Sequence, residues 1–102
     1  GPQGHMIVFS EGALDDLERI FDFNAELDQR LAVRRVEAIR TAIGILEQHP
    51  HIGRRSDVEG LRELVITSGK RGFVALYAWD DRTRVIRVLS IRHQLEAGYR
   101  EV

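Results

Sequence analysis

A dense group of polar residues near the C-terminal end of the sequence could carry acid–base or phosphate chemistry. Arg92, His93, Tyr99 and Arg100 follow the apolar run Val88–Ile91. The neutral imidazole of a histidine can act as a general base, and an arginine can bind a phosphate or carboxylate through two parallel hydrogen bonds. The pattern therefore predicts an active site or a docking surface here, in place of an ordinary solvated chain end.

Other chemistry-bearing residues form weaker patterns. His49 and His51 flank Pro50 but have no Asp or Glu at ligand spacing, so no metal site is predicted. The "GK" in "TSGKRG" lacks the spacing of a phosphate-binding loop, and we predict no cofactor and no small-molecule ligand. Trp79 and Phe73 lie in an apolar run and are interpreted as core residues, not as a base-stacking platform.

Composition and charge indicate one small domain. The 102 residues include no cysteine, which excludes disulfides and thiolate metal sites. Residues 1–48 carry 5 Arg against 9 Asp and Glu, a net charge of −4, whereas residues 49–102 carry 10 Lys and Arg against 7 Asp and Glu, a net charge of +3. Residues 1–5 are interpreted as an expression-tag remnant and residues 6–102 as a single domain, with no predicted membrane span.

Two amphipathic helices are predicted after a first strand at Met6–Ser10. Ser10 is suited to cap the first helix, whose predicted apolar stripe is Leu14, Leu17, Ile20 and Phe21. The second stripe, at spacings of 4, 3, 4 and 3, consists of Ala32, Val36, Ile39, Ile43 and Leu46. A turn near Asp28–Gln29 joins the helices, and Pro50 is expected to stop the second. The pair is therefore predicted to form an antiparallel hairpin.

Three strands follow the helices. They are predicted at Leu61–Ile66, Phe73–Trp79 and Arg84–Ile91, with turns at Thr67–Gly72 and Asp80–Thr83. Arg92 and His93 would then lie just past the last strand, at the edge of the sheet. The order β-α-α-β-β-β predicts an α+β fold, with the helical hairpin on one face of a small, mainly antiparallel sheet and the other face partly open.

Several pieces of the sequence, in this order, resemble the RelE/ParE superfamily of toxins from type II toxin–antitoxin systems. They are "SEGALDDLERI", "AIGILEQHPHIGR", "LRELVI", "GFVALY" and "VLSIRHQLEAGY". Together they extend from about Met6 to Tyr99, and "IRHQLEAGY" is most similar to the ParE-like branch. The resemblance implies a toxin held inactive by a cognate antitoxin whose C-terminal segment wraps around it as a hetero-oligomer.

The resemblance implies two different activities. RelE-like members cut messenger RNA in the ribosome, whereas ParE-like members inhibit DNA gyrase without ribonuclease chemistry. RelE-like enzymes commonly carry an arginine after a glycine–aromatic pair in the central strand, and Val74 occupies that position here. Their preceding strand is rich in lysine, whereas this one offers Arg62 and Glu63. A ribonuclease in this chain would have to use Arg62, Arg92, His93 and Tyr99.

The sequence favours a cytoplasmic, ParE-like inhibitor of DNA gyrase that acts by binding. Arg92, His93, Tyr99 and Arg100 are the candidate target-binding residues, and no catalytic residue is assigned in this interpretation. The ribosome-dependent ribonuclease remains the alternative, together with an inactive relative that only binds an antitoxin.

Overall fold

The computed structural model describes residues 4–68 and 71–94. Within these residues the chain forms two α-helices, one 3₁₀ helix and five strands. In chain order the elements are β1 Met6–Phe9, α1 Glu11–Ala25, α2 Gln29–Gly44, the 3₁₀ helix Ile45–Glu47, β2 Arg54–Arg55, β3 Arg62–Ser68, β4 Arg71–Asp80 and β5 Val85–His93. The predicted α+β fold is confirmed. Strand β2 was not predicted, because two arginines are too short a segment to show any periodicity.

Helix α1 begins as the sequence predicted, and its buried stripe includes the predicted Leu17 and Ile20. The Ala13 N–H donates to Ser10 Oγ at 3.1 Å, so Ser10 caps the helix. The buried residues are Ala13, Leu17, Ile20 and Asn24. The prediction that Leu14 is buried is wrong. Its side chain is 49% exposed, because the stripe that packs on the sheet starts one residue earlier, at Ala13.

Helix α2 confirms its predicted stripe. Asp28 caps it by accepting the Arg30 N–H at 2.9 Å. Ala32, Ile39, Ile43 and Leu46 are at most 1% exposed, and Val36 is partly buried against the same core. The α-helix ends at Gly44 and continues as the 3₁₀ helix, so it stops before Pro50 is reached. No helix in the described part of the chain is long and apolar enough to cross a lipid bilayer.

The strands of the described residues form one sheet in the order β1-β5-β4-β3-β2. Strand β1 runs parallel to β5, and the other neighbours are antiparallel. The predicted turn at Thr67–Gly72 is shorter than expected, since β3 extends to Ser68 and β4 begins at Arg71. The turn after β4 keeps its predicted length of four residues but lies one residue later, because β4 ends at Asp80 and β5 begins at Val85. Tyr77, Ile86, Val88 and Ile91 are fully buried between this sheet and the helices.

The end of the last strand differs from the prediction. Strand β5 continues to His93, where Arg92 pairs with Val74 and His93 with Phe73. The Gln94 N–H then donates to the Gly72 carbonyl at 2.9 Å. Polar side chains obscured this continuation in the sequence, because backbone pairing does not require apolar residues. Arg92 and His93 are therefore strand residues and not part of a chain end beyond the sheet.

One residue before the predicted domain boundary, His5, also contacts the domain. The His5 N–H donates to the Glu47 carbonyl at 2.9 Å, and its ring is buried with Nε2 3.4 Å from Asp81 Oδ1. These contacts make His5 part of the folded structure.

Candidate functional site

The register of the strands divides the candidate residues between two faces of the sheet. Residues paired across antiparallel strands lie on the same face, and neighbours along a strand lie on opposite faces. Phe73, Ala75 and Tyr77 belong to the core that the helices cover. The opposite face, which we call the outer face, carries Val74 with its two partners, Val65 on β3 and Arg92 on β5.

Arg92 lies exposed on the outer face, beside two valines of the neighbouring strands. Its partner Val74 is 4% exposed but lies outside the core cluster, and Val65 beyond it is 40% exposed. Arg87 is a second exposed arginine of β5, paired with Ala78. Exposed arginines on the same face as an exposed valine suit a partner that offers both a carboxylate or phosphate and an apolar contact.

His93 belongs to the covered face. Its ring meets the Phe73 ring edge-on, with centroids 5.6 Å apart and planes at 80°. The residue is half-buried and is paired with Phe73 across β4 and β5. The two predicted neighbours Arg92 and His93 therefore point to opposite sides of the sheet.

Arg62 is tied into the connection between the 3₁₀ helix and β2. Its Nη1 donates to the Gly53 carbonyl at 2.7 Å and reaches the His51 carbonyl at 3.4 Å. Its guanidinium carbon lies 5.3 Å from the centre of the Trp79 ring, which is a cation–π distance. These contacts give Arg62 a structural role on the covered side, where it is paired with Tyr77.

The three described residues that a ribonuclease would use, Arg62, Arg92 and His93, are not brought together. Arg62 and His93 pair with Tyr77 and Phe73, four positions apart on β4. That spacing is about 13 Å along the strand, and the two intervening strand separations add about 10 Å across the sheet. Arg92 lies on the other face, whereas Tyr99 and Arg100 lie outside the described residues.

Tyr77 makes two hydrogen bonds to the segment before β2 that were not predicted from the sequence. Its hydroxyl donates to the Pro50 carbonyl at 2.7 Å and accepts the Gly53 N–H at 3.0 Å. A Cβ on Gly53 would lie 2.6 Å from the Tyr77 hydroxyl oxygen and 2.7 Å from the Glu63 carbonyl oxygen, so the close approach requires glycine. A tyrosine within the apolar run "GFVALYAW" was the available signal, because a buried hydroxyl needs a partner.

Replacing Tyr77 with Phe is expected to lower the free energy of unfolding by about 1–3 kcal/mol, since the Gly53 N–H and the Pro50 carbonyl would lose their partner. The effect also depends on pH. Burial raises the pKa of the Tyr77 hydroxyl, although the Gly53 hydrogen bond and the Arg62 charge oppose the shift. The folded state therefore holds this proton above pH 10, where an unfolded tyrosine ionises, and the corresponding stability is lost as pH rises from about 10 toward the folded pKa.

Urea unfolding of wild type and Tyr77→Phe at neutral pH and above pH 10 measures both effects. The difference between the two proteins should shrink at the higher pH. A constant difference would contradict the buried, protonated hydroxyl.

Among residues 4–68 and 71–94, no cluster of three His, Asp or Glu side chains is arranged to hold a metal ion. What the described geometry offers is a sheet face with an exposed arginine and an exposed valine. Among the described candidates, Arg62 and His93 lie on the opposite face from Arg92.

Residues 7–98 match the family model described as "ParE toxin of type II toxin-antitoxin system, parDE". The chromosomal ParDE toxin–antitoxin system from P. aeruginosa includes a chain that is 25% identical with a TM-score of 0.74, and the match covers 87% of this chain and 95% of that one. No curated protein matches the chain.

Two further solved structures share the fold at lower identity. A chain of the E. coli RelBE toxin–antitoxin complex is 16% identical with a TM-score of 0.62, covering 86% of this chain and 94% of that one. A chain of the RelBE2 complex from Mycobacterium tuberculosis is 22% identical with a TM-score of 0.57, covering 88% of this chain and 98% of that one.

Proposed function

Because the chain belongs to the ParE toxin family of type II toxin–antitoxin systems, we propose that it inhibits DNA gyrase by binding and not by catalysis. In this proposal it acts in the bacterial cytoplasm, where it holds a gyrase–DNA intermediate and converts it into broken DNA. It needs no metal, cofactor or small-molecule ligand for this action.

One observation supports binding over catalysis more than any other: the candidate cations Arg62 and Arg92 lie on opposite faces of the sheet. Arg62 donates to the Gly53 carbonyl on the covered side, and Arg92 is exposed on the outer face. Cleavage of RNA needs a base, an acid and a cation within hydrogen-bond reach of one phosphodiester. A binding inhibitor needs only a complementary surface, and the exposed Arg92 and Val65 on the outer face are candidates for it.

We assign the first contact with gyrase to Arg92. It is exposed, and it lies one residue before the end of β5, in the half of the sequence with a net charge of +3. Excess positive charge raises the rate of encounter with a negatively charged complex such as gyrase on DNA. His93, Tyr99 and Arg100 remain predicted contacts. The structure gives His93 a half-buried position against Phe73, so Arg92 is the stronger candidate of the two.

A ribosome-dependent ribonuclease is the second candidate, and one observation favours it. Arg92 is paired with Val74, the position at which RelE-like enzymes were expected to carry an arginine. A neighbouring strand could therefore supply a cation close to that position. The remaining predicted groups, Arg62 and His93, do not lie on the same face as Arg92.

We also propose a cognate antitoxin that forms a hetero-oligomer with the chain. Two of the similar solved structures are of toxin–antitoxin complexes. This chain exposes large apolar side chains on the helical hairpin: Phe23 is 56%, Leu27 70% and Val33 44% exposed. An amphipathic antitoxin segment could cover them, folding as it binds. The same contacts would be available in an inactive relative, so antitoxin binding alone does not establish toxicity.

We expect the purified chain to inhibit gyrase supercoiling of a relaxed plasmid and to leave messenger RNA intact on programmed ribosomes. Both reactions should be run with one protein preparation at matched concentrations, each with and without excess antitoxin. Codon-positioned RNA cleavage that disappears in His93→Ala would replace the proposal with the ribonuclease. A folded chain that is inactive in both reactions and in growth arrest would indicate the inactive relative.

A further inference from the structure

Strand β5 contains a bulge that decides which face Arg92 occupies. Val88 pairs with Tyr77 and Ser90 pairs with Leu76, so Leu89 is an extra residue between two pairs of the described register. Val88 and Ile91 are both fully buried although they are three residues apart. An unbroken strand would alternate strictly, so Arg92 would share the covered face with Val88. The extra residue reverses the alternation and turns Arg92 outward.

Helix α1 holds this bulge through two side chains. Ser10 Oγ donates to the Leu89 carbonyl at 3.1 Å, while the Ser10 N–H donates to the Val88 carbonyl at 3.0 Å. The Ile91 N–H donates to Asp16 Oδ2 at 2.8 Å, and the Asp16 side chain is only 15% exposed. The carbonyl of the extra residue and the amide two positions later are therefore bound by the capping residue of α1 and by a residue within its first two turns. Bonds to a carboxylate are the stronger kind, so Asp16 is the principal contact.

We infer that Asp16 is a positioning residue for the toxin: by binding the Ile91 amide it fixes the β5 bulge that presents Arg92 on the outer face. The inference rests on the proposed function, since it gives Arg92 its role in target binding. It also assigns a purpose to the run "SEGALDD", in which Ser10 and Asp16 lie six residues apart. A shift of β5 by one residue would bury Arg92 and expose His93.

The variants Asp16→Asn, Asp16→Glu and Asp16→Ala separate geometry from charge. Asn keeps an acceptor oxygen at the same distance from the backbone, so gyrase inhibition should stay within about threefold of wild type. Glu keeps the charge but displaces the acceptor by one methylene, and Ala removes it. Both should raise the inhibitory concentration about 10- to 100-fold, the range that couplings between contacting residues reach. Asp15→Ala, an exposed acid on the same helix, should behave as wild type.

A double-mutant cycle distinguishes positioning from general stability. In an Arg92→Ala background, Asp16→Glu should cause no further loss, because Asp16 acts through Arg92. The Tyr77→Phe variant loses stability through its hydrogen bonds to Pro50 and Gly53, and it should retain inhibition while the protein is folded. Equal losses with and without Arg92, or full inhibition by both Asp16→Glu and Asp16→Ala, would overturn the inference. If Asp16→Ala does not fold, the comparison of Asn with Glu carries the test.

Failure of the proposed function would look different. A wild-type chain that does not inhibit gyrase would refute the gyrase target, and growth arrest in bacteria would then replace inhibition as the measurement. The same variants and the same dependence on Arg92 are expected in growth arrest. If Arg92→Ala arrests growth as wild type does, the role given to Asp16 is also wrong.

Discussion

Ile39→Asp is expected to leave the chain unfolded at all temperatures. Ile39 has no solvent exposure and lies in the core cluster between α2 and the sheet. The substitution would bury a carboxylate within the apolar core and would also remove an apolar side chain. The combined cost of several kcal/mol is comparable to the stability of a whole domain, about 5–15 kcal/mol. Circular dichroism and thermal unfolding measure the result.

Val33→Asp provides the matched control on the same helix. Val33 is 44% exposed, so a carboxylate there remains in contact with water and should change the free energy of unfolding by less than about 1 kcal/mol. A soluble Ile39→Asp protein with the thermal midpoint of wild type would show that this stripe does not face the core.

Arg92→Glu is expected to abolish inhibition of gyrase while the protein stays folded. Arg92 is exposed, and reversing its charge replaces an attraction to the gyrase–DNA complex with a repulsion. Loss of a close charge contact in an interface costs about 2–5 kcal/mol, which corresponds to a factor of about 30 to 4,000 in affinity. Supercoiling assays over a range of toxin concentrations measure this factor, and thermal unfolding checks the fold.

Arg34→Glu is the control for net charge. It makes the same change of two charges at an exposed position of α2, away from the outer face. It should inhibit gyrase nearly as wild type does. Equal losses in the two variants would assign the effect to the charge of the whole molecule. A point substitution is the better experiment than truncation before Arg92, because truncation would also remove the strand pairs of Arg92 and His93.

The helices and the fold class were predictable because their signals are long. The stripe from Ala32 to Leu46 covers four turns of helix, so its period was evident and its burial followed. The exposure of Leu14 was not predictable from the sequence. Ala13 takes the buried position, but it is small and carries little hydrophobic signal although it has no exposure. Strand β2 was missed because it contains only Arg54 and Arg55, which is too short a segment to show a period.

The candidate site was predicted by residue type but not by geometry. Nothing in "VLSIRH" marks Leu89 as an extra residue, because an apolar run has the same appearance with or without a bulge. The faces of Arg62, Arg92 and His93 depend on pairing with β4, which sequence periodicity does not give. The tie of Tyr77 to Pro50 and Gly53 joins positions 24 to 27 residues apart and requires the folded sheet.

The most direct test of the account is to look for a trapped gyrase–DNA complex. Gyrase, supercoiled plasmid, ATP and the purified wild-type chain are incubated, and the reaction is stopped with detergent and protease. A toxin that holds the cleaved intermediate should yield linear plasmid in proportion to its concentration, with little from Arg92→Glu and none when excess antitoxin is present. Plasmid that stays intact at saturating wild-type protein, with supercoiling unimpaired, would contradict the gyrase account.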